Sequence, residues 1–201
     1  MTAALHGLLT GLSLIVAIGA QNVFVLRQGL RREHVLAVVT ICALSDAVLI
    51  AAGVGGLGAV IRAVPWLVEV ARWAGIAFLL VYAAMAARRA LRPTGEALEV
   101  ETAPAARGLA AVIGTALALT WLNPHVYLDT VLLLGSIASS HGEQRWWFAA
   151  GAMCASLLWF SALGFGARVL GRYLGSPLSW RILDAVVAAT MVAAAIMLLL
   201  S

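Results

Sequence analysis

The chain has 201 residues, of which 63% are hydrophobic and only 11% are charged. Soluble domains carry about 25% charged residues, so this composition excludes an ordinary soluble domain and indicates an integral membrane protein. The formal charge of +4 comes from thirteen arginines without any lysine. Because these arginines stand in short links between apolar runs, the chain has no basic patch for nucleic acid.

Six stretches are long and apolar enough to cross a bilayer, which takes about 20 residues of helix. They are residues 2–26, 35–61, 65–87, 108–140, 146–167 and 182–200. One hydrophilic linker, 88–107, separates the first three from the last three. We therefore predict an all-α fold, a polytopic membrane helix bundle in which residues 1–201 form a single domain.

The first stretch is expected to be a retained span with a break inside it. It lacks the basic start of a secretory signal, and its apolar part is longer than the about 7–15 residues of such a signal. The polar segment GAQN at 19–22 interrupts it. Gly7 and Gly11 have the spacing that allows close helix packing, either within the bundle or in a homodimer.

The fourth stretch is too long for one straight helix. At about 1.5 Å per residue it would measure about 50 Å, against a hydrocarbon core of about 30 Å. It contains Asn123, Pro124 and His125, and proline removes a backbone donor and disfavours helix at the residue before it. We predict a break there, in either one discontinuous span or a re-entrant hairpin.

The arginines of the connecting loops distinguish these two alternatives. If each stretch crosses once, loops 27–34, 88–107 and 168–181 share one side and hold ten arginines, against three in the other loops. With a hairpin the division would be eight against five. Because positive charge accumulates on the cytoplasmic side, we predict single crossings, these three loops in the cytoplasm and the C-terminus outside.

Three spans on each side of the linker suggest an internal repeat. If the halves 1–87 and 108–201 are related, an odd number of spans requires them to be inverted relative to each other. The stretch that begins at Cys42 can be aligned with the one that begins at Cys154, and the polar break at 19–22 with the break at 122–125. We expect six spans as two inverted three-helix repeats, with broken helices in spans 1 and 4.

Asp46 and Asp129 are the strongest indications of function. Each stands eleven residues from one end of its span, Val35 or Ser140, which places it about 16 Å deep and near the middle of the bilayer. A charged aspartate there costs about 2.5–3.5 kcal/mol, and no arginine inside another span is expected to pair with it. Each acid alone fits a protonated or arginine-paired structural residue, but the two together favour exchange of a proton for a cationic substrate.

Further polar and aromatic side chains surround the two breaks. Unwound backbone within a membrane is tolerated where it lines a cavity, and its free N–H and C=O groups suit the carboxylate and ammonium of an amino acid. Gln21, Asn22 and Asn123 are therefore candidate binding residues, or else caps and interhelical hydrogen bonds. His125 is a candidate proton relay or a packed histidine, and Trp121 is a face for a cation or a packing residue.

Aromatic residues at the ends of the spans are expected to contact the interfacial region of the membrane lipid. In the first turns of the third span, Glu69 and Arg72 can pair at i,i+3 and extend towards the headgroups. The predicted aromatic belt consists of Trp66, Trp73, Trp146, Trp147, Tyr173 and Trp180.

Two other classes of protein are disfavoured. An intramembrane enzyme needs a nucleophile with a base, or a metal set, and His125 with Asp129 is the only candidate nucleus in the sequence. Cys42 and Cys154 form no CxxC pair. A channel or structural subunit needs neither paired acids nor two broken helices. We therefore predict no catalytic residue, no metal site and no cofactor.

Three segments resemble the LysE-type lysine/arginine exporter family of bacteria: GAQNVFVLRQG at 19–29, LSDAVLIAAG at 44–53 and TWLNPHVYLDT at 120–130. The similarity extends over essentially the whole chain. It implies export of L-arginine, L-lysine or a close analogue across the bacterial inner membrane, driven by ion gradients rather than ATP, with Asp46 and Asp129 as a functional pair. Relatives that export neutral amino acids or cadmium share the architecture, but the lack of a Cys/His cluster in the sequence argues against the metal branch.

The resulting hypothesis is alternating access between the two halves around a site at the bilayer centre. Gln21, Asn22 and Asn123 would hold the amino-acid end of the cargo, while Asp46 and Asp129 share its cationic side chain and a proton. Expelling one positive charge against about 100 mV costs about 2.3 kcal/mol. Exchange for an incoming proton would make the cycle electroneutral.

Within this pair, Asp129 is the expected binder of the cation, because Trp121, Tyr127 and the break in the fourth span surround it in the sequence. Asp46 is then the expected proton carrier, with His125 as a further candidate for proton coupling.

Overall fold

The computed structural model describes residues 2–16, 19–57, 65–91, 108–123, 126–171 and 177–200. Pro124, His125, Tyr173 and most of the linker 88–107 lie outside these ranges, and so do the expectations placed on them. Within the described ranges the regular structure is entirely helical, which confirms the all-α class.

Eight α-helices follow one another along the described part of the chain. They are α1 (Thr2–Ile15), α2 (Ala20–Arg31), α3 (Val35–Ala52), α4 (Pro65–Leu91), α5 (Leu109–Trp121), α6 (Leu134–Ser139), α7 (Arg145–Gly171) and α8 (Pro177–Leu200). Wider π-helical turns cover Gly53–Leu57 after α3 and Tyr127–Leu133 before α6, and a short 3₁₀ turn covers Gly142–Gln144.

Three helical stretches of the described part are long and apolar enough to cross a membrane: Val35–Gly56, Arg72–Leu91 and Gly142–Ala167. Helices α1 and α2, bent by 86° relative to each other, add a fourth crossing if they form one span. A membrane helix bundle is therefore present, and the count of six spans stays a prediction. The shorter apolar helices are Leu109–Trp121, Tyr127–Ser139 and Asp184–Ala193.

The interruption predicted in the first apolar stretch lies between α1 and α2. Helix α1 ends at Ile15, and α2 begins at Ala20 with Gly19 as its extended N-cap, which offers no side chain to cap the helix. Gln21 and Asn22 therefore belong to the first turn of α2 and not to the gap itself.

The end of α2 differs from the sequence prediction, which places residues 27–34 in a loop. Helix α2 continues to Arg31 and closes where Arg32 adopts the left-handed conformation, with φ 58°. The N–H of Arg32 then bonds two carbonyls of the last turn, which is how many helices end. Arg27 is consequently a residue of the helix itself.

The break predicted at Asn123 is present. Helix α5 ends at Trp121, and the N–H of Asn123 bonds the carbonyl of Thr120 at 3.4 Å, a tighter i→i−3 turn. The N–H of Val126 bonds the Asn123 carbonyl in the same way, at 3.2 Å, before the π-helical turns begin at Tyr127. The α-helical ladder is thus interrupted on the two sides of residues 124 and 125.

Helix α7 is the element along which the first broken helix runs. Gly7 of α1 lies against the backbone of Phe148, and Gly29 of α2 lies against Gly164, nearer the end of α7. A Cβ on Gly7 would stand 1.9 Å from the Phe148 carbonyl oxygen, so glycine is required there. Gly11 also packs closely on α7. The predicted close packing at Gly7 and Gly11 is confirmed.

Helix α3 has the same relation to the second broken helix. Trp121, at the end of α5, donates a hydrogen bond to Ser45 in the middle of α3. Further along, Gly135 of α6 packs on the backbone of Gly53, where α3 passes into its π-helical turns. Helices α5 and α6 therefore run alongside α3 and parallel to it.

The two continuous helices α3 and α7 are antiparallel to each other. Asp46 in the middle of α3 meets Ser156 in the middle of α7. Val39, nearer the start of α3, meets Gly164, nearer the end of α7. Both broken helices thus lie against a continuous one.

Helices α4 and α8 form a second antiparallel pair. Arg72, in the second turn of α4, donates to the carbonyl of Leu199 near the end of α8 at 2.8 Å. At the opposite end of the pair, Arg181 donates to the carbonyl of Ala90 at 3.0 Å. The main core cluster joins this pair to α2, α3, α5 and α7.

The outer surface of the bundle is apolar. Large side chains such as Leu36, Val81 and Leu158 are exposed, as a surface in contact with lipid tails requires. Four residues of the predicted belt are exposed in the first turns of α4 and α7, and the predicted Glu69–Arg72 pair forms at 3.7 Å. These four are Trp66, Trp73, Trp146 and Trp147.

Alanine at Gly7 or Gly151 should destabilise the protein. A Cβ at either position would stand 1.9 Å from a backbone oxygen of the opposing helix, and such overpacking costs about 1–3 kcal/mol. Gly114 of α5 is the matched control, because nothing lies within 4 Å of its Cβ position and alanine there should stabilise the helix by about 0.5–1 kcal/mol. Thermal unfolding in detergent measures all three. Wild-type melting temperatures for Gly7→Ala and Gly151→Ala would contradict this account of the helix contacts.

Candidate functional site

Asp46 lies inside the helix bundle. Only 6% of the residue is exposed, and its Oδ2 accepts a hydrogen bond from the hydroxyl of Ser156 at 2.7 Å. Ser156 is itself fully buried on α7. The carboxylate therefore faces the interior between α3 and α7, as the sequence predicts for an acid of functional importance, and does not face lipid.

Asn22 connects the first break to α7. Its side-chain amide donates to the carbonyl of Ile15, the last residue of α1, at 3.0 Å. Its Oδ1 accepts from the indole N–H of Trp159 at 3.3 Å. Trp159 and Ser156 are three residues apart and share one face of α7. The amide of Asn22 and the carboxylate of Asp46 are thus held one helical turn apart along the same helix.

Gln21 places a hydrogen-bond donor next to this pair. Its side chain lies beside the thiol of Cys42, which precedes Asp46 by one turn of α3. Its Nε2 is buried and has no hydrogen-bond partner among the described residues. A buried amide without a partner needs an explanation, and a ligand with an acceptor oxygen provides one.

The start of α2 adds further donors to the same place. The first N–H groups of a helix have no partner within the helix, and Gly19 provides no side chain to cap them. The N-terminal end of the helix dipole also favours negative charge. Together with Gln21, the start of α2 therefore suits a carboxylate.

The break in the fourth span lies on the other side of Asp46. The indole N–H of Trp121 donates to the hydroxyl of Ser45 at 3.1 Å, and Ser45 is the buried neighbour of Asp46 in α3. The hydroxyl of Tyr127 donates to the carbonyl of Trp121 at 2.8 Å and so satisfies a carbonyl at the end of α5. Two of the predicted site residues are therefore fixed at the edge of this break.

The remaining predicted residues are less closely tied to Asp46. Asn123 and Asp129 are both half-buried, with Asn123 in the break and Asp129 in the π-helical turns that follow. The next two carbonyls after Asp129 lie against Gly53, the residue that follows α3. A joint role for Asp129 and Asp46 stays a prediction, and His125 lies outside the described residues.

The structure reveals an ionic cluster that the sequence analysis overlooks. Asp184 is buried in α8, and its Oδ1 accepts hydrogen bonds from the guanidinium groups of Arg27 and Arg89. The expectation that no arginine would pair with an acid concerned Asp46 and Asp129 and did not consider Asp184, a further acid within an apolar run. Asp184 is the third residue of the sixth apolar stretch, and this position was the signal available in the sequence.

Ser45 and Ser156 are two further residues that sequence analysis did not single out. Both are buried within apolar helices, and Ser156 bonds the central carboxylate directly. A small hydroxyl residue in an otherwise apolar span is a weak signal, because serine also bonds the backbone of its own helix. As for metals, the described ranges contain no group of three or more His, Cys, Asp or Glu residues that could hold one.

The site places hydrogen-bond donors, which suit a negative group, near a carboxylate, which suits a positive group. Donor groups at the start of α2 and on Gln21 stand beside Cys42 and Asp46, so a negative group and a positive group can be bound by adjacent helical turns. A free amino acid carries both groups. The arrangement thus groups hydrogen-bond donors around a buried acid.

Comparison with known proteins gives the family. The profile of the LysE type translocator family matches residues 12–201. A putative amino-acid transporter of Mycobacterium tuberculosis is 52% identical over 190 residues, which are 94% of this chain and 93% of the relative. The lysine exporter LysE of Corynebacterium glutamicum is 40% identical, covering 96% of this chain and 97% of its own length. The arginine exporter protein ArgO of an Enterobacter species is 42% identical, covering 92% and 88%.

No solved structure matches the chain. The family profile nevertheless covers nearly its whole length, and three of its helical stretches are long and apolar enough to cross a membrane. The chain is a multi-pass membrane transporter rather than an enzyme, and it belongs to the LysE-type translocator family.

Proposed function

We propose that this protein exports a basic amino acid, L-arginine or L-lysine, from the bacterial cytoplasm across the inner membrane by a secondary active mechanism. The observation that carries the proposal is the buried carboxylate of Asp46 beside the uncapped start of α2 and the unpartnered amide of Gln21. Relatives named for lysine export and arginine export, 40% and 42% identical, support a cationic cargo.

In this proposal the two ends of the cargo bind to different helices. Its α-carboxylate binds the N–H groups at the start of α2 and the Nε2 of Gln21. Asn22 and Asn123, which lie at the two breaks, help to hold this end of the cargo. Its side-chain cation binds between Asp46 and Asp129, where Trp121 and Tyr127 form the edge of the second break. Buried charge is tolerated only when it is paired, so the site favours cargo that brings both a negative and a positive group.

The helix contacts support two inverted repeats, 1–87 and 108–201. The first broken helix runs along α7 of the second half, and the second broken helix runs along α3 of the first half. The pairs α3–α7 and α4–α8 are each antiparallel. An axis in the membrane plane that exchanges the halves would map every one of these pairings onto its counterpart. Alternating access by rocking of the halves follows from such symmetry.

The proposed orientation places loops 27–34, 88–107 and 168–181 in the cytoplasm and the C-terminus outside. Cationic cargo then leaves against the membrane potential, at a cost of about 2.3 kcal/mol per charge and about 100 mV. An incoming proton offsets this cost in each cycle. We assign the proton to Asp46, which is enclosed between α3 and α7, and the cargo cation to Asp129.

A neutral amino acid is the second candidate cargo. The relative from Mycobacterium tuberculosis, 52% identical, is described only as a putative amino-acid transporter, so its name leaves the side chain open. A channel or structural subunit is a different class, and saturable, proton-linked flux separates a carrier from it.

Purified protein in proteoliposomes should catalyse counterflow of radiolabelled arginine and lysine. The flux should saturate, and a pH gradient should drive net movement of either amino acid. Alanine is the matched neutral cargo and should be at least about tenfold slower, since a desolvated carboxylate left without its cation loses a strong interaction. Failure of both arginine and lysine would remove the proposed function, and equal alanine flux would favour the neutral exporter.

Replacement of either central acid by asparagine should abolish net export but with different partial reactions. Asp46→Asn can still accept the hydrogen bond from Ser156, so the protein should fold, lose uphill export and keep arginine–arginine exchange. Asp129→Asn should lose both activities, because a neutral amide cannot balance a desolvated guanidinium. Exchange and uphill export are measured in the same proteoliposomes. Wild-type values in both variants would leave the carboxylates structural.

Gln21→Leu tests the proposed binding of the α-carboxylate. The change keeps the approximate shape of the side chain and removes the buried Nε2 donor. A hydrogen bond to a charged group is worth about 1.5–3 kcal/mol, so the KM for arginine should rise at least about tenfold. Agmatine, which is arginine without its carboxylate, is the matched cargo, and its inhibition constant should be the same in wild type and variant. An unchanged KM for arginine would place the carboxylate elsewhere.

A further inference from the structure

The ionic cluster around Asp184 joins three helices at one end of the bundle, where α2 and α4 end and α8 begins. This end is called the arginine-rich end below. Asp184 belongs to α8, Arg27 to α2 and Arg89 to α4. Both guanidinium groups donate to the same oxygen, Oδ1, with the Nε of Arg89 at 3.2 Å. The Asp184 side chain is 9% exposed, against 26% for Arg27 and 36% for Arg89. Two guanidinium cations thus share one buried carboxylate.

The two arginines belong to different packing units. Arg89 and Asp184 lie on the α4–α8 pair, and the guanidinium of Arg89 is also held over the ring of Tyr82, 5.9 Å from its centre. Arg27 lies on α2, whose neighbouring Gly29 packs on Gly164 of α7. The Arg27–Asp184 contact therefore crosses the boundary between the α4–α8 pair and the rest of the bundle, whereas the Arg89–Asp184 contact does not.

This sharing allows the boundary to open without leaving the buried carboxylate of Asp184 unpaired. Removal of one partner from a buried ion pair is strongly destabilising, because the other charge stays buried and uncompensated. Asp184 keeps Arg89 when Arg27 withdraws with α2. The place that Arg27 leaves has already held a guanidinium, so it fits the guanidinium or ammonium group of a cationic cargo.

A second observation points to an alternative partner at the same turn of α2. Gln28, the residue after Arg27, is 5% exposed, and its Oε1 is buried without a hydrogen-bond partner among the described residues. Native proteins satisfy nearly all such groups. A state in which α2 has moved and a ligand with donor N–H groups has arrived would satisfy this acceptor.

We propose that Asp184 is a cytoplasmic loading site, at which the cationic side chain of the cargo takes the place of Arg27 and releases α2 from the α4–α8 pair. This proposal rests on the proposed export of basic amino acids and on the cytoplasmic position of the arginine-rich end. It adds to the central site a carboxylate that the cargo meets first and that couples its arrival to opening.

Cys42 is a native reporter of this opening. It is fully buried on α3 beside the side chain of Gln21 of α2, so we expect separation of α2 to uncover it. The chain has only one other cysteine, the exposed Cys154, and Cys154→Ser leaves a single thiol. Inverted membrane vesicles present the cytoplasmic face to a membrane-impermeant methanethiosulfonate reagent. The rate of Cys42 modification is then followed by mass spectrometry of the intact protein.

In the Cys154→Ser background, labelling should be slow and should accelerate about tenfold with saturating arginine, the factor expected for loss of a charged hydrogen bond. Alanine should have no effect. Arg27→Gln should label rapidly without arginine, since the contact across the boundary is gone. Asp184→Asn should label rapidly as well and should no longer respond to arginine.

Arg89→Gln separates a shared carboxylate from simple loosening of the bundle. Without Arg89, withdrawal of Arg27 would leave Asp184 uncompensated, so labelling should become slower than in the background, opposite to Arg27→Gln. Arg72→Gln is the matched control on α4, because its contacts with Glu69 of α4 and with the carbonyl of Leu199 of α8 lie within the α4–α8 pair, and its labelling rate should not change. Acceleration in both Arg27→Gln and Arg89→Gln would overturn the proposal.

Two further results separate this proposal from the proposed function. Asp129→Asn should keep the acceleration by arginine, because loading precedes the central site, and loss of the acceleration there would assign the effect to Asp129. Arginine counterflow without any effect of arginine on labelling would overturn the loading site and leave export intact. Arginine could also accelerate labelling only when Asp184 is present, in a protein that shows no counterflow. That result would support the loading site and contradict the proposed export.

Discussion

The constraint on which this structure depends is that backbone polar groups in a hydrocarbon layer must find partners within the protein. A helix interrupted in a membrane releases several such groups at once. Both interruptions of this chain lie against a continuous helix: the first beside α7, the second beside α3. Asn22 bonds the last carbonyl of α1, and Tyr127 bonds the last carbonyl of α5. Both breaks are thus packed against another helix of the protein, which leaves their remaining free groups available to the proposed ligand.

Sequence alone predicts the features that follow from local chemistry. The break near Asn123 follows from the geometry of proline and from a stretch too long for the bilayer, and the close contact at Gly7 follows from glycine spacing. The burial of Asp46 follows from its depth in an apolar run, because a carboxylate cannot face lipid cheaply. Each of these arguments uses residues within a few turns of one another, and each agrees with the structure.

Tertiary contacts are what the sequence could not predict. Arg27 and Asp184 are 157 positions apart. Hydropathy places Arg27 outside a span and Asp184 inside one, and it gives no sign that the two residues pair. Helix α2 instead continues to Arg31, because a helix ends where its capping geometry allows and not where its hydrophobicity stops. The bond from Ser156 to Asp46 has the same character, since 110 positions separate the two residues. Neither pairing has a periodic signal in the chain.

The two buried aspartates have partners of different charge. Asp184 is held by two guanidinium groups, so an arriving cation must displace a resident one, and binding there is an exchange. Asp46 is held by a serine hydroxyl, which a cation or a proton can join without displacing another charge. In the proposed mechanism Asp184 makes opening conditional on cargo. Asp46 carries the proton, because its neutral serine partner can stay in place whether or not the carboxylate is protonated.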